Sequence, residues 1–157
     1  MDPVANRMID GSWKKTEEDP DLIRQSIEKA EKLLQRTKIV VFVSLDAQGN
    51  PMAKALLVAA TKKLKHLYFS TNTSSRHIQQ IRANPITTVY FFDPQTLEGV
   101  MLSGHATEEP DHTWREKIWE DYYTYSGVDD PDYCILRFDA ETGNYYQNLS
   151  NVSFDVT

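Results

Sequence analysis

The residues whose types and spacing could do chemistry together lie between Phe69 and His77, in the segment Phe-Ser-Thr-Asn-Thr-Ser-Ser-Arg-His. An apolar run ends there in hydroxyl and amide residues, and a short helix is predicted to follow with Arg76 in its first turn. Ser74 or Thr73 is expected to cap that helix. Helix N–H groups, hydroxyls and a guanidinium in one place favour a phosphate-bearing cofactor or ligand. The alternative is an ordinary capped junction between a strand and a helix.

Composition and charge limit the possible partners. The chain has 157 residues, a net charge of -6 and 40% hydrophobic residues, so we expect no nucleic-acid partner, which would need a basic face. No apolar run approaches the ~20 residues that cross a bilayer, and the N-terminus lacks a signal pattern. We therefore expect no membrane partner and a cytoplasmic protein. The single cysteine, Cys134, is predicted to be buried in a strand.

The elements around the segment follow from hydrophobic periodicity. Asp19-Pro20 begins a predicted helix that ends near Arg36, and further helices are expected after Ser75 and from Pro110. Alternating and β-branched runs predict strands at 39–45, 52–60, 66–71, 86–92, 100–107, 133–138 and 144–149, with a turn at 139–143. About seven strands and three helices indicate a mostly antiparallel β fold, a small closed or split barrel. Residues 1–18 are predicted to form a polar arm and residues 19–157 one domain.

Several short motifs, in this order, resemble one family. They are Lys-Ala-Leu-Leu-Val from Lys54, Tyr-Phe-Ser-Thr-Asn from Tyr68, Ser-Arg-His from Ser75, Val-Met-Leu-Ser-Gly from Val100 and Asp-Asp-Pro-Asp-Tyr from Asp129. Together they resemble the pyridoxamine 5′-phosphate oxidase-like, FMN-binding split-barrel superfamily, and within it the general-stress-protein branch. The resemblance covers roughly residues 22–149. It implies a split β-barrel with FMN as cofactor, bound at the interface of a homodimer.

The resemblance also implies roles for individual residues. Lys54 would reach the flavin phosphate or ring edge, and Ser75 and Arg76 would clamp the phosphate. His77 stands where many relatives have lysine, so its charge would depend on pH. The residues expected along the isoalloxazine ring and ribityl chain are Ala55, Leu56, Leu57, Phe69, Ser70 and Thr71.

Two departures from the family limit the activity. The chain has no Arg or His after Arg137, where the oxidase itself carries an Arg-x-His pair, so it is not expected to oxidise pyridoxamine phosphate. Gly99 stands where the oxidase has a flavin-contacting glutamine. The candidate lid is the Tyr-rich segment with Tyr122, Tyr123 and Tyr125, together with Asp129 and Asp130. The four histidines have no metal-ligand spacing, and no catalytic residue is assigned.

The hypothesis is therefore an FMN-dependent oxidoreductase that accepts hydride from NAD(P)H or a small reduced substrate. The alternative is a flavin-binding or flavin-sensing stress protein without turnover. A third possibility keeps the fold and replaces FMN by a deazaflavin or haem.

Overall fold

The computed structural model describes residues 19–120 and 125–157. The predicted arm at 1–18 and the tyrosines Tyr122 and Tyr123 of the predicted lid lie outside the described residues. Helix α1 (Pro20–Thr37) begins where the sequence predicts, because the Asp19 side chain accepts a hydrogen bond of 3.0 Å from the N–H of Asp21. The helix ends at Lys38, whose φ of 54° turns the chain into the first strand.

Strands form one antiparallel sheet in the described part of the chain. The strands are β1 (Ile39–Leu45), β2 (Pro51–Leu57), β3 (Ala60–Lys62), β4 (His66–Asn72), β5 (Ile86–Asp93), β6 (Glu98–Glu108), β7 (Tyr133–Gln147) and β8 (Ser150–Asp155); the remaining helices of the described residues are α2 (Arg76–Ala83) and α3 (Thr113–Lys117). The strand order in the sheet is β2-β1-β5-β6-β7-β4-β3, with β8 paired to β7.

The sheet curls because its two edge strands are consecutive in the chain. Val58 and Ala59, the link between β2 and β3, donate backbone hydrogen bonds of 2.8 Å to the carbonyls of Lys38 and Tyr68 respectively. The two edge strands, β2 and β3, are thereby connected through the chain, but they do not pair with each other, so a gap stays open between them. This arrangement confirms the predicted split barrel, with eight strands in the described residues instead of about seven.

The predicted turn at 139–143 is wrong. The chain runs straight through it in β7, whose first half pairs with β4 and whose second half pairs with β8. The β7 strand has a bulge here, because the neighbours Ser103 and Gly104 on β6 pair with Thr142 and Ala140 and leave Glu141 as the extra residue. A Cβ on Gly104 would lie 1.9 Å from the Asp139 carbonyl oxygen, so β6 approaches β7 closely at this point. The reversal comes later, at Asn148 and Leu149, which both have positive φ. The predicted strand 144–149 therefore comprises the end of β7 and the two residues of this reversal, and the last strand, β8, begins after it.

The core fills the inside of the barrel. Phe42, Phe69, Phe91 and Phe138 come from four different strands and are at most 1% exposed. Helix α1 covers one opening through Leu33 and Leu34, and α2 fits into the split through Ile78 and Ile81. Cys134 is buried, as predicted.

Among the described residues, no helix has both the length and the apolar character needed to cross a membrane.

Candidate functional site

The first turn of α2 bridges the split in the barrel. Ring Nε2 of His77 lies 2.9 Å from Oγ1 of Thr71 on β4, and the His77 ring meets the Phe42 ring of β1 edge-on, with centroids 6.1 Å apart. Helix α2 therefore fixes the distance between the two sides of the opening. Any group held by the start of α2 also faces the inner side of β2.

A cleft of about 340 Å³ lies at this junction. Three elements line it: edge strand β2, strand β1 beneath it, and α2 on the other side. Arg76 and Gln80 are four residues apart on α2 and so share the face that borders the cleft. The lining residues are Phe42, Ser44, Met52, Ala53, Lys54, Arg76, His77 and Gln80.

Arg76 differs from the other arginines in residues 19–120 and 125–157. Each of the others donates to a carboxylate or a backbone carbonyl: Arg24, Arg36, Arg82, Arg115 and Arg137. Within the same described residues, Arg76 and Lys54 have no hydrogen-bond or ion-pair acceptor. The cleft thus presents two cations whose donors are available to a ligand.

The imidazole of His77 is neutral at physiological pH. Burial, followed by the positive charge of Lys54, lowers the pKa of His77 to about 4 from its ordinary value of 6.5. The sequence analysis predicted that the charge of His77 depends on pH. In the structure the imidazole becomes charged only in the acid range, near its lowered pKa of about 4. At neutral pH His77 can orient Thr71 and Ser75, whose hydroxyl oxygens lie 2.9 and 3.5 Å from Nε2.

The predicted cap of α2 by Ser74 or Thr73 is wrong. Ser75 is the N-cap residue, and its hydroxyl donates to the carbonyl of Asn72 at 2.7 Å. Thr73 and Ser74 bond instead to the carboxylate of Asp132, which accepts from Thr73 Oγ1 at 2.9 Å, from Ser74 N at 2.8 Å and from Ser74 Oγ at 3.0 Å. These hydrogen bonds lower the pKa of Asp132. They also remove the Thr73 and Ser74 donors from the set available to a ligand.

The first turn of α2 still offers backbone donors. The N–H of Ser75 is occupied by the Asn72 carbonyl at 3.1 Å. Those of Arg76 and His77 lie in the first turn, where an α-helix provides no acceptor of its own. The backbone N–H groups of Arg76 and His77 therefore remain available to a ligand in the described structure.

The residues predicted along a flavin ring point to different faces of the sheet. On β2, Leu56 packs against the core, whereas the side chains of Ala55 and Leu57 are exposed on the outer face. On β4, Phe69 is completely buried, and Ser70 points away from Thr71, with its hydroxyl 3.2 Å from the Tyr133 hydroxyl. The structure brings Lys54, Arg76 and His77 into one cleft with Thr71 and Ser75 beside it. For the others, a position along the flavin ring or the ribityl chain stays a prediction.

Gly99 leaves room for an aromatic side chain. A Cβ at Gly99 would lie 2.5 Å from the phenol oxygen of Tyr90, so the glycine lets this ring cross over it. The place of a side chain at position 99 is therefore taken by Tyr90 on the outer face of the sheet.

The described part of the predicted lid is attached to the segment that leads into the cleft. The hydroxyl of Tyr125 donates to Oδ1 of Asn72 at 2.6 Å. The guanidinium of Arg115 on α3 holds the same loop through the carbonyls of Val128 and Asp130. These contacts anchor the loop beside the start of α2, and Tyr122 and Tyr123 lie outside the described residues.

Sequence reasoning missed the floor of the cleft. Ser44 and Gln80 meet there, with Ser44 Oγ donating to Gln80 Oε1 at 2.6 Å. The position of Gln80, one turn after Arg76, could have identified it as a wall residue. Nothing local to Ser44 pointed to the site, because the contact spans 36 residues of sequence.

Comparisons with solved structures support the same fold. A protein from Clostridium acetobutylicum related to general stress protein 26 of B. subtilis, of the pyridoxinephosphate oxidase family, is 34% identical with a TM-score of 0.75, over 84% of this chain and 95% of that one. A heme binding protein from Mycobacterium smegmatis is 16% identical, with a TM-score of 0.69, over 83% of this chain and 57% of that one. A pyridoxamine 5′-phosphate oxidase-related, FMN binding protein from Nostoc punctiforme is 14% identical, with a TM-score of 0.57, over 88% and 96%. No curated protein is similar enough in sequence to match.

The sequence itself determines the family. Residues 26–147 match the family described as Pyridoxamine 5'-phosphate oxidase, a range that runs from α1 to the end of β7 and includes every residue of the cleft. The identity of 34% to the Clostridium protein over most of both chains agrees with this match. The chain therefore belongs to the pyridoxamine 5′-phosphate oxidase family.

Proposed function

We propose that the protein binds FMN, with the phosphate held between Arg76 and Lys54 at the start of α2. The observation that carries the proposal is the unpaired guanidinium of Arg76, in a part of the chain where the other described arginines all have acceptors. The chain shares its fold with an FMN binding protein from Nostoc punctiforme, which favours this cofactor over other phosphates.

The donor set fits a phosphate monoester. Two cations from opposite walls of the cleft balance a dianion, and Arg76 can donate two parallel hydrogen bonds to it. The first-turn N–H groups of α2 add a favourable interaction of roughly 0.3–1 kcal/mol with an anion. Neutral His77 does not add charge, so its role in the proposed site is to hold Thr71 and Ser75 in place.

The proposed assembly is a homodimer that covers the outer face of the sheet. Large apolar side chains are exposed there on neighbouring strands: Ile39, Leu57, Tyr90, Phe92, Met101 and Tyr146, each between 39% and 63% exposed. Strand pairing makes them one surface, because Ile39 lies opposite Leu57 and Tyr90 opposite Met101. A contiguous apolar surface of this kind marks an interface. A second copy of the chain would cover it with the same surface.

The proposed reaction is oxidoreduction with NAD(P)H or a small reduced substrate as donor. When bound, FMN would supply the hydride chemistry at its ring. The protein's residues would bind and orient it: Arg76 and Lys54 at the phosphate, the exposed edge of β2 beside the ring. Cys134 is no candidate nucleophile, because burial raises its pKa to about 12.

A second candidate is a flavin-binding stress protein without turnover. The observation that favours it is the 34% identity to a protein related to general stress protein 26. Both candidates use the same cleft and differ only in whether a reduced donor is consumed.

The test is an absorption spectrum of the purified protein before and after addition of FMN and desalting. We expect flavin bands that stay with the protein at about one FMN per chain, and sedimentation as a dimer. A colourless protein that does not retain added FMN would contradict the proposal. For a protein that retains FMN, steady-state NAD(P)H consumption with an artificial acceptor separates the enzyme from the binding protein. Haem titration in parallel tests the ligand of the Mycobacterium relative.

A further inference from the structure

The floor of the cleft contains an oriented amide. Gln80 borders the cleft, half-buried, and Ser44 behind it is 1% exposed. The Ser44 hydroxyl donates to Oε1 of Gln80 at 2.6 Å, so the carbonyl side of the amide is fixed toward β1. The NH₂ group of Gln80 then has no acceptor among the described residues.

The polar groups of the cleft that are available to a ligand are all hydrogen-bond donors. Lys54 and Arg76 have only hydrogen-bond donors, and the amide of Gln80 has its acceptor occupied by Ser44. Gln80 also lies four residues after Arg76, on the same side of the helix and about 6 Å further along its axis. A ligand group that approaches Arg76 therefore meets a third donor at its other end, and that group must consist of acceptors.

We propose that Nε2 of Gln80 donates a hydrogen bond to a phosphate oxygen of the bound flavin nucleotide, and that Ser44 is the positioning residue that orients this amide. The inference rests on the proposed function and extends it from two cations to a third, directional contact. Because the contact goes to the phosphate, Gln80 makes the cleft select FMN over riboflavin, which has no phosphate.

The primary test compares FMN and riboflavin titrations of the wild-type protein with Gln80→Ala. We expect FMN affinity to fall about 10- to 100-fold, the usual range for a hydrogen bond to a charged group, while riboflavin affinity changes by less than about twofold. Gln80→Glu, which places a carboxylate near the phosphate, should weaken FMN binding further. Gln25→Glu, at an exposed position of α1, is the control for the added charge and should bind FMN like wild type.

The positioning role of Ser44 is tested by a double-mutant cycle. Ser44→Ala should weaken FMN binding about three- to tenfold in the wild-type background and have no further effect with Gln80→Ala, because the two residues act through one contact. A thermal unfolding curve shows that each variant is folded. A merely structural Ser44 would weaken FMN and riboflavin binding equally and in both backgrounds, and that result would overturn its assignment.

The failures can be told apart. Wild-type protein that binds neither flavin removes the proposed function and this inference with it. Wild-type protein that binds FMN, with Gln80→Ala binding it equally well, removes only the inference. An equal loss for FMN and riboflavin would place Gln80 at another part of the ligand and overturn the phosphate contact.

Discussion

Two arginines at the ends of helices have opposite surroundings. Arg36 lies in the last turn of α1, where it pairs with Asp93 at 3.2 Å and with Glu98. The carboxylate of Glu98 also accepts a hydrogen bond of 2.6 Å from the Tyr145 hydroxyl, so the polar groups of this cluster satisfy one another. Arg76 lies in the first turn of α2 and has no acceptor in the described residues. The first arginine stabilises the fold, and the second is left for another partner.

The helix dipole increases this difference. A cation in the last turn of a helix is stabilised by the negative end of the dipole, whereas a cation in the first turn faces the positive end. Helix α2 has no acidic residue in its first turn, which carries Arg76 instead. Its sequence is therefore unfavourable for the isolated helix. An anion bound at this end would relieve the repulsion and pair the guanidinium in one step.

The largest expected effect comes from removing Glu98, the carboxylate shared by Arg36 and Tyr145. Glu98→Ala leaves Arg36 and the Tyr145 hydroxyl without their shared acceptor, and we expect the free energy of unfolding in urea to fall by about 2–3 kcal/mol. The value stays below that of a fully buried pair, because the Arg36 side chain is 40% exposed. FMN affinity should not change.

The matched control for Glu98 is Glu108→Ala. Glu108 pairs with Arg82 on the outside of α2, with both side chains partly exposed, so its removal should change stability little. If the two variants lose the same free energy of unfolding, the hydrogen bonds among Arg36, Glu98 and Tyr145 stabilise the fold no more than an exposed ion pair does.

The next effect comes from removing the unpaired cation. Arg76→Ala should weaken FMN binding by about 1.5–3 kcal/mol, the usual contribution of a charge-assisted hydrogen bond, and leave the unfolding free energy unchanged or slightly higher. Arg82→Ala is the control on the same helix, because Arg82 is already paired with Glu108. Flavin fluorescence titration measures both. If the two variants bind FMN alike, Arg76 is not at the phosphate.

A third prediction concerns the pH dependence of stability. His77 has a pKa of about 4 in the folded chain and an ordinary value of 6.5 when unfolded. Between these values the unfolded state binds more protons, so acidification favours unfolding and the contribution of neutral His77 is lost as pH falls from 6.5 toward 4. From pH 7 to pH 5 we expect a loss of about 2 kcal/mol from this group. Urea unfolding at both values measures it.

A His77→Gln variant isolates that contribution. Its amide nitrogen can replace Nε2 beside Thr71 without titrating, so its loss of stability between pH 7 and pH 5 should be smaller than that of wild type by the same amount. The matched control is His112→Gln, at an exposed position before α3. Identical pH profiles for wild type and His77→Gln would contradict the burial of a neutral imidazole.

Local patterns predicted most of the fold, and contacts across the sequence account for the errors. The helical spacing of apolar residues in α1 and the β-branched run of β1 are short-range signals, and both elements appear where the sequence predicts them. The predicted turn at 139–143 has turn residues, but a bulge at Glu141 accommodates them within β7. Residue types alone also suggested an anion at Arg76. They could not show that Arg76 lacks an acceptor in residues 19–120 and 125–157, since that depends on where the carboxylates of distant segments lie in the fold.

Asp132 makes a contact that the sequence did not predict, because it joins positions 58 residues apart. Its carboxylate holds the turn at Thr73 and Ser74, directly before Ser75 and Arg76. Asp132→Asn keeps the size of the side chain but replaces one carboxylate oxygen with an NH₂ group. That donor would then face the donors of Thr73 and Ser74. We expect faster hydrogen exchange of the Ser74 amide and FMN affinity lower by a factor of about three, the smallest effect of the series.

The direction of that last change separates two roles of the carboxylate. If Asp132 positions the turn, the variant binds FMN more weakly than wild type does, and its affinity for riboflavin changes less. If the carboxylate instead competes with phosphate for the Ser74 N–H and the two hydroxyls, removing its charge frees those donors and FMN binds more tightly. Asp129→Asn is the control, since Asp129 is an exposed carboxylate of the same loop that has no hydrogen bond to Asp132 or to the turn in the described residues. Tighter binding in Asp132→Asn alone would show that the protein already holds an anion of its own beside the proposed phosphate site.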